Sequence, residues 1–254
     1  MLKNVRIKAL YEIKHFIEKT SYCEVYSGID LSNNKPVGLS IYNASKIARD
    51  DIGVNGELRE IEFLEMGIDG FPKLLSYGSF IHDSEKFRYI ATEFISGETV
   101  MDRLRRSGPI DEFDAVRVGL KLSEIAQELH QKTNPVLLNG LSLDNILFDM
   151  SEQEESIKLR NLINARYLDE EFKHTYLDGL NATHVAPEVF NDAFTPKTDQ
   201  YNIAALIYQM ISGVLPFYND EFSDEIDAED ARLHRGTIFT ARPERKQRTA
   251  GSAE

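Results

Sequence analysis

Between Asp199 and Ser212 the chain carries almost no charge, and Ile203, Ala204, Ala205, Leu206, Ile207, Met210 and Ile211 are distributed around the whole circumference of a helix. A helix apolar on every side has no face to offer water, so the segment predicts burial on almost every side. It is too short to cross a bilayer, and no stretch of the chain approaches 18 uninterrupted apolar residues. The helix must therefore be enclosed by protein, and 254 residues are enough to build the enclosure. With 42% hydrophobic and 28% charged residues the chain is neither collagen-like, mucin-like nor wholly disordered.

What precedes that helix divides near Phe94 to Glu98. Tyr11 to Ile17, Glu24 to Leu31 and Val37 to Tyr42 read as strands, with Asn33-Asn34-Lys35-Pro36 as a turn. Glu57 to Met66 reads as a helix, because Leu58, Ile61 and Leu64 recur at three-residue spacing before Gly67. Leu74 to Phe80 and Phe87 to Phe94 then form a hairpin around His82-Asp83-Ser84-Glu85. Beyond Gly97 the pattern turns helical: Thr99 to Arg106, then Glu112 to His130 with Val118, Leu122, Ile125 and Leu129 on one stripe. Pro135 to Leu168 returns to short strand-like pieces. The reading is an α+β chain with a small β-rich lobe over residues 1–94, a mainly helical lobe over 95–240, and a disordered polar tail over 241–254.

The formal charge of -13 repels nucleic acid and anionic membrane, so neither is expected as a partner. Cys23 is the single cysteine, which excludes an intrachain disulfide and fits a reducing compartment. The first residues, Met1-Leu2-Lys3-Asn4, have no apolar core of a signal peptide. The expectation is a soluble, cytoplasmic protein.

Six anchors in order carry a family resemblance: Ile17 to Tyr26, Val37-Gly38-Leu39-Ser40, Leu138 to Asn145, Asn161-Leu162-Ile163, Ala186-Pro187-Glu188, and Thr198 through Phe217. In that order and spacing the chain resembles a eukaryotic-type serine/threonine protein kinase domain from about Tyr11 to Pro243. The resemblance implies a bilobal kinase-like fold and matches these segments to the glycine-rich loop, the lysine-bearing strand, the catalytic loop, the magnesium motif, the end of the activation segment and the central helix. With only 37 residues after Phe217, it also implies a shortened helical lobe.

Most of the chemistry-bearing letters differ. Glu18, Thr20 and Cys23 stand at the glycine positions, where backbone amides would approach phosphates. Ser40 matches the lysine, while Glu60 matches its glutamate partner and is left to pair with Lys46, Arg49 or another base, or to face water. Gly140 matches the aspartate that orients the acceptor hydroxyl; Asn139 and Ser142 match the neighbouring arginine and lysine. Asn161 matches the magnesium-holding aspartate, and Asn145 is retained, with a loop-bridging role expected for it.

The apolar framework is kept. Leu64, Tyr77, Leu138 and Leu162 match the regulatory spine, and Asp199 matches the buried aspartate that ties the catalytic loop to the central helix. Glu188 is retained and would pair with Arg242, Arg245 or solvent. Val25, Leu147, Gly38, Thr92 and the hinge Glu93-Phe94-Ile95 match an adenine pocket, yet nucleotide binding is not expected and no cofactor is assigned. The resemblance thus implies a catalytically inactive pseudokinase that acts as a protein-binding regulator or scaffold. The alternative is an enzyme with unconventional nucleotide-dependent transferase chemistry. A partner protein or a homodimer contact is expected at the exit of the central helix, around Leu215 and Phe217. The segment 164–185 and the acidic run Asp220 to Asp230 are further candidate surfaces.

Overall fold

A computed structural model describes residues 2, 4–20, 23–150, 154–171 and 184–216. Its first part is one antiparallel sheet of β1 (Arg6–Ile7), β2 (Tyr11–Lys19), β3 (Glu24–Asp30), β4 (Pro36–Asn43), β5 (Leu74–His82) and β6 (Glu85–Glu93), in the order β1-β2-β3-β4-β6-β5. Period-two alternation sends Ile13, Tyr26, Leu39 and Ala91 into one buried cluster. The β5–β6 connection is a two-residue turn, Asp83 and Ser84 at φ 49° and 66°, a left-handed pair that matches the twist of the flanking strands.

Helix α1 (Arg59–Leu64) is shorter than the apolar spacing predicts. Leu58, bridged to Ile52 and extended, offers no capping side chain, and Gly67 takes φ +64° just beyond the other end.

The second part contains β7 (Gly97–Thr99), α2 (Val100–Ser107), α3 (Glu112–His130), β8 (Val136–Leu137), β9 (Ile146–Asp149), β10 (Ser156–Leu159), β11 (Arg166–Tyr167) and α4 (Pro196–Ser212). Each long helix starts on a side-chain cap. Thr99 accepts from Asp102 N, Asp111 accepts from Phe113 N and Asp114 N, and Thr195 forms a capping box with Thr198. Helices α3 and α4 pack closely because Gly119 has no side chain: a Cβ there would lie 2.5 Å from Ile207 Cδ1. One core cluster joins Ile61 and Leu64 of α1 to Leu122 and Ile125 of α3 and Leu206 and Met210 of α4. The architecture is the bilobal α+β fold expected.

Two expectations are corrected. Helix α4 is not buried on almost every side: Ala204, Tyr208 and Ile211 form an exposed strip, the latter two 39% and 41% exposed, and Val214 follows at 40%. Tyr77 does not join the apolar column. Leu64, Leu138 and Leu162 are buried in the same cluster, whereas Tyr77 is 37% exposed; a bulge between Leu74 and Ser76 shifts the strand's alternation just before it. Leu215 is half-buried. Phe217, the acidic run 220–230, residues 172–183 of the 164–185 segment, and the tail with Arg242 and Arg245 lie outside the described residues. Among the described residues no helix is long and apolar enough to cross a membrane.

Candidate functional site: the interlobe cleft

The cleft lies between β2–β4 above, the hinge Glu93-Phe94-Ile95 behind, and Leu147, Arg160 and Asn161 below. The alternation of β4 presents Gly38, Ser40 and Tyr42 to it, since residues two apart share a face. Gly38 faces Thr92 so closely that a Cβ would lie 3.0 Å from its Oγ1. Val25 and Leu147 line the cavity from opposite sides, as the resemblance implies.

Glu60 points inward from α1 and is 6% exposed. Neither Lys46 nor Arg49 pairs with it, and it does not face water. The Tyr42 hydroxyl donates to its Oε2 at 2.6 Å and the Leu162 amide donates to Oε1 at 3.0 Å. Tyr42 thus supplies the donor one face-repeat beyond Ser40. Burial pushes the Glu60 carboxyl above the usual range despite these two hydrogen bonds. The same burial, reinforced by the Glu60 charge, holds Tyr42 well above its ordinary value. Cys23 completes the cluster: burial pushes its thiol up to about 12, which leaves it protonated and unreactive at neutral pH. Thr20 closes the β2–β3 turn, its Oγ1 accepting from Cys23 N at 3.0 Å.

Glu18 pairs with Arg160 across the mouth of the cleft, Nη2 to Oε1 at 2.8 Å. Arg160 also donates to the Asp144 carbonyl at 3.2 Å, so the guanidinium links the β2–β3 turn to the lower lobe. On the floor, Asn161 Nδ2 donates to Asn145 Oδ1 at 3.4 Å. Asn145 therefore bonds a second amide through its side chain. Asp144 is drawn outward to Arg105 at 3.6 Å.

The loop below is held from α4. Asp199 is fully buried and accepts from Leu138 N at 2.9 Å, Asn139 N at 3.0 Å and His130 Nε2 at 2.8 Å. Asn202, one turn on, accepts from Leu141 N at 2.7 Å. Gly140 and Ser142 belong to this pinned loop, and the Ser142 hydroxyl donates to Asp144 at 3.4 Å. Glu188 is half-buried in a 3-10 turn, Pro187–Asn191.

The segment after Asn161 is fastened to α1 and the loop before it. Arg166 pairs with Asp51 at 2.9 Å, both side chains being largely buried, and donates to the carbonyls of Ile163 and Ala165. Arg59 pairs with Glu170, and Phe63 meets Tyr167 edge-on, ring centroids 5.6 Å apart.

This arrangement of anchors in order, a sheet lobe over a helical lobe with Asp199 gripping the loop, is matched by the protein kinase domain model over residues 11–250. The chain belongs to the protein kinase domain family. It is 28% identical over 220 residues to ribosomal protein S6 kinase alpha-3 of Homo sapiens, which covers 85% of this chain and 28% of that protein. Calcium-dependent protein kinase 29 of Arabidopsis thaliana is 23% identical over 217 residues, 85% of this chain and 39% of its own length. Myosin light chain kinase A of Dictyostelium discoideum is 21% identical over 216 residues, 84% and 70% respectively. The chain thus spans less than two-fifths of the first two relatives.

A magnesium–nucleotide pair, which the family resemblance implies, would have to be held by this lining. The cavity measures about 80 Å³, against roughly 300–1,000 Å³ for sites that enclose drug-sized ligands. Its floor offers two neutral amides, and among the described residues no group of three or more His, Cys, Asp or Glu side chains is placed to hold a metal. Sequence reasoning missed Tyr42, Arg160, His130 and Asn202. Only Tyr42 left a signal, its place two residues beyond Ser40 on the same strand face.

Proposed function

We propose that this kinase-family chain is catalytically inactive and serves as a protein-binding regulator or scaffold. The observation that carries the reading is that the polar groups of the cleft are already engaged with one another. Glu60 is satisfied by Tyr42 and Leu162, and Arg160 is engaged by Glu18 where a phosphate chain would lie. Glu18 also places a carboxylate where phosphate charge would enter, and like charges repel most strongly in a poorly solvated gap. Phosphoryl transfer depends almost entirely on positioning and charge neutralisation. Ser40, Gly140, Ser142 and Asn161 supply neither a cation nor a carboxylate at the matched positions.

With no chemistry to perform, the useful output of such a fold is its surface. The apolar strip of α4, Tyr208 and Ile211 with Val214 beyond, is a region where a polypeptide partner would gain by burial, at roughly 25 cal/mol per Å². The purified chain is expected to transfer no labelled phosphate to itself or to generic substrates with Mg²⁺ or Mn²⁺. Its melting temperature is expected to be unmoved by millimolar ATP and either metal. Phosphate incorporation that follows the chain through rigorous removal of contaminating kinases would overturn the reading, as would a saturable melting shift.

A further inference from the structure

Behind the hinge, on the side away from the cleft, α3 and β10 enclose a recess of about 440 Å³. Its lining carries five carboxylates, Asp69, Glu93, Glu124, Asp149 and Glu155, against three cations, Arg117, Lys121 and Lys158. The two outermost acids share one cation: Lys121 contacts both Asp69 and Glu124, whose side chains remain 87% and 56% exposed. The mouth is therefore net acidic.

An apolar strip leads to it. Phe113, Val116 and Leu120 are 73%, 60% and 60% exposed, and their spacing of three and four residues puts them on one face of α3. Leu120 lines the recess, and Arg117, which also lines it, lies over the Phe113 ring at 5.9 Å. Three large side chains on one face of a surface helix, continuous with a charged recess, is the pattern of a docking groove rather than of scattered exposure.

The chain itself supplies an occupant. Between Ala231 and Ala250 it carries six Lys or Arg against one Glu, with Leu233, Ile238 and Phe239 among them. This is a basic-apolar segment in a chain whose formal charge is -13. It also leaves the described structure in the right place. The end of α4 abuts the start of α3: a Cβ on Gly213 would lie 3.0 Å from Pro109 Cγ, and Ile110 N donates to Met210 O at 2.8 Å. Phe113 stands one turn further along α3. Residues 217–231 extend up to about 50 Å, whereas the path along α3 from Phe113 to Glu124 is about 17 Å. We infer that residues 232–248 dock in cis along this groove, apolar side chains on the Phe113–Leu120 strip and basic side chains on the Asp69 and Glu124 rim.

The test uses the full chain and a zero-length carbodiimide, which joins Lys246 to a carboxylate only in contact. Amide links from Lys246 to Asp69 or Glu124 are expected at a yield unchanged by tenfold dilution. The double variant Phe113→Ser, Leu120→Ser alters exposed positions and should fold; it is expected to reduce those links at least fivefold. In parallel, Arg232→Glu, Arg235→Glu, Arg242→Glu should raise the labelling of Asp69 and Glu124 by glycine ethyl ester severalfold. Links confined to the acids of 220–230 would overturn the inference. So would links joining isotope-labelled to unlabelled copies, which would give the groove to a second copy, links insensitive to the double variant, or labelling unchanged by the reversals.

Discussion

Arg160 and Glu18 meet at 2.8 Å across the mouth of the interlobe cleft, so an ion pair closes that mouth between the two lobes. Their side chains are 17% and 32% exposed, between the regimes of surface and buried pairs. A double-mutant cycle with Glu18→Gln and Arg160→Gln is expected to give a coupling of about 1 kcal/mol from urea midpoints, shrinking between 0.05 and 0.5 M salt. Strictly additive single effects would show that the pair does not hold the lobes.

Asp199→Ala should destabilise by about 2–4 kcal/mol, because it leaves the Leu138 and Asn139 amides without an acceptor in the core and removes the partner of His130. Asn145→Ala, which removes one long amide–amide bond, should cost under about 1 kcal/mol. Comparable midpoints for the two variants would contradict the assignment of Asp199 as the anchor.

Glu60 gives stability a definite pH dependence. Its folded-state carboxyl titrates above the ordinary value, so its contribution is full below the ordinary carboxylate range and is lost as pH rises through the raised folded value. Glu60→Gln removes that loss while keeping an acceptor for Leu162. The wild type should therefore lose ground to Glu60→Gln in urea midpoint between pH 4 and pH 8; a constant difference would refute the buried-acid assignment.

Asp51→Ala should cost about 3 kcal/mol by taking the carboxylate away from the buried, charged Arg166 guanidinium. Arg166→Met should cost more, because the guanidinium also serves the Ile163 and Ala165 carbonyls. The double variant should not return to wild-type stability, since those carbonyls stay unserved. Full recovery in denaturant melts would mean that the ion pair alone accounts for the contribution of Arg166 around β11.

The periodic parts of the molecule could be read from the sequence. Helix α3 runs over Glu112–His130, as its apolar stripe predicts, and the β5–β6 turn falls on Asp83-Ser84, inside the predicted turn. Asp199 was legible only through the family resemblance, which matches it to a buried loop anchor. The contents of the cleft were not. Tyr42 with Glu60 and Arg160 with Glu18 join residues from separate elements, and no local spacing encodes which donor reaches which acceptor. The exposed strip of α4 was hidden for a related reason: apolar composition reports a preference for burial, while the surrounding chain decides which side receives it.

The grip of Asp199 and Asn202 on the Leu138, Asn139 and Leu141 amides separates shape from chemistry in the loop they hold. Three of the captured groups are main-chain N–H donors, which every amino acid except proline possesses. Side chains at 140 and 142 can therefore be exchanged while the loop keeps its path, provided that α4 keeps its two acceptors, whereas position 139, buried at φ 52°, is more constrained. The vulnerable positions are then Asp199 and Asn202, far more than any residue facing the cleft.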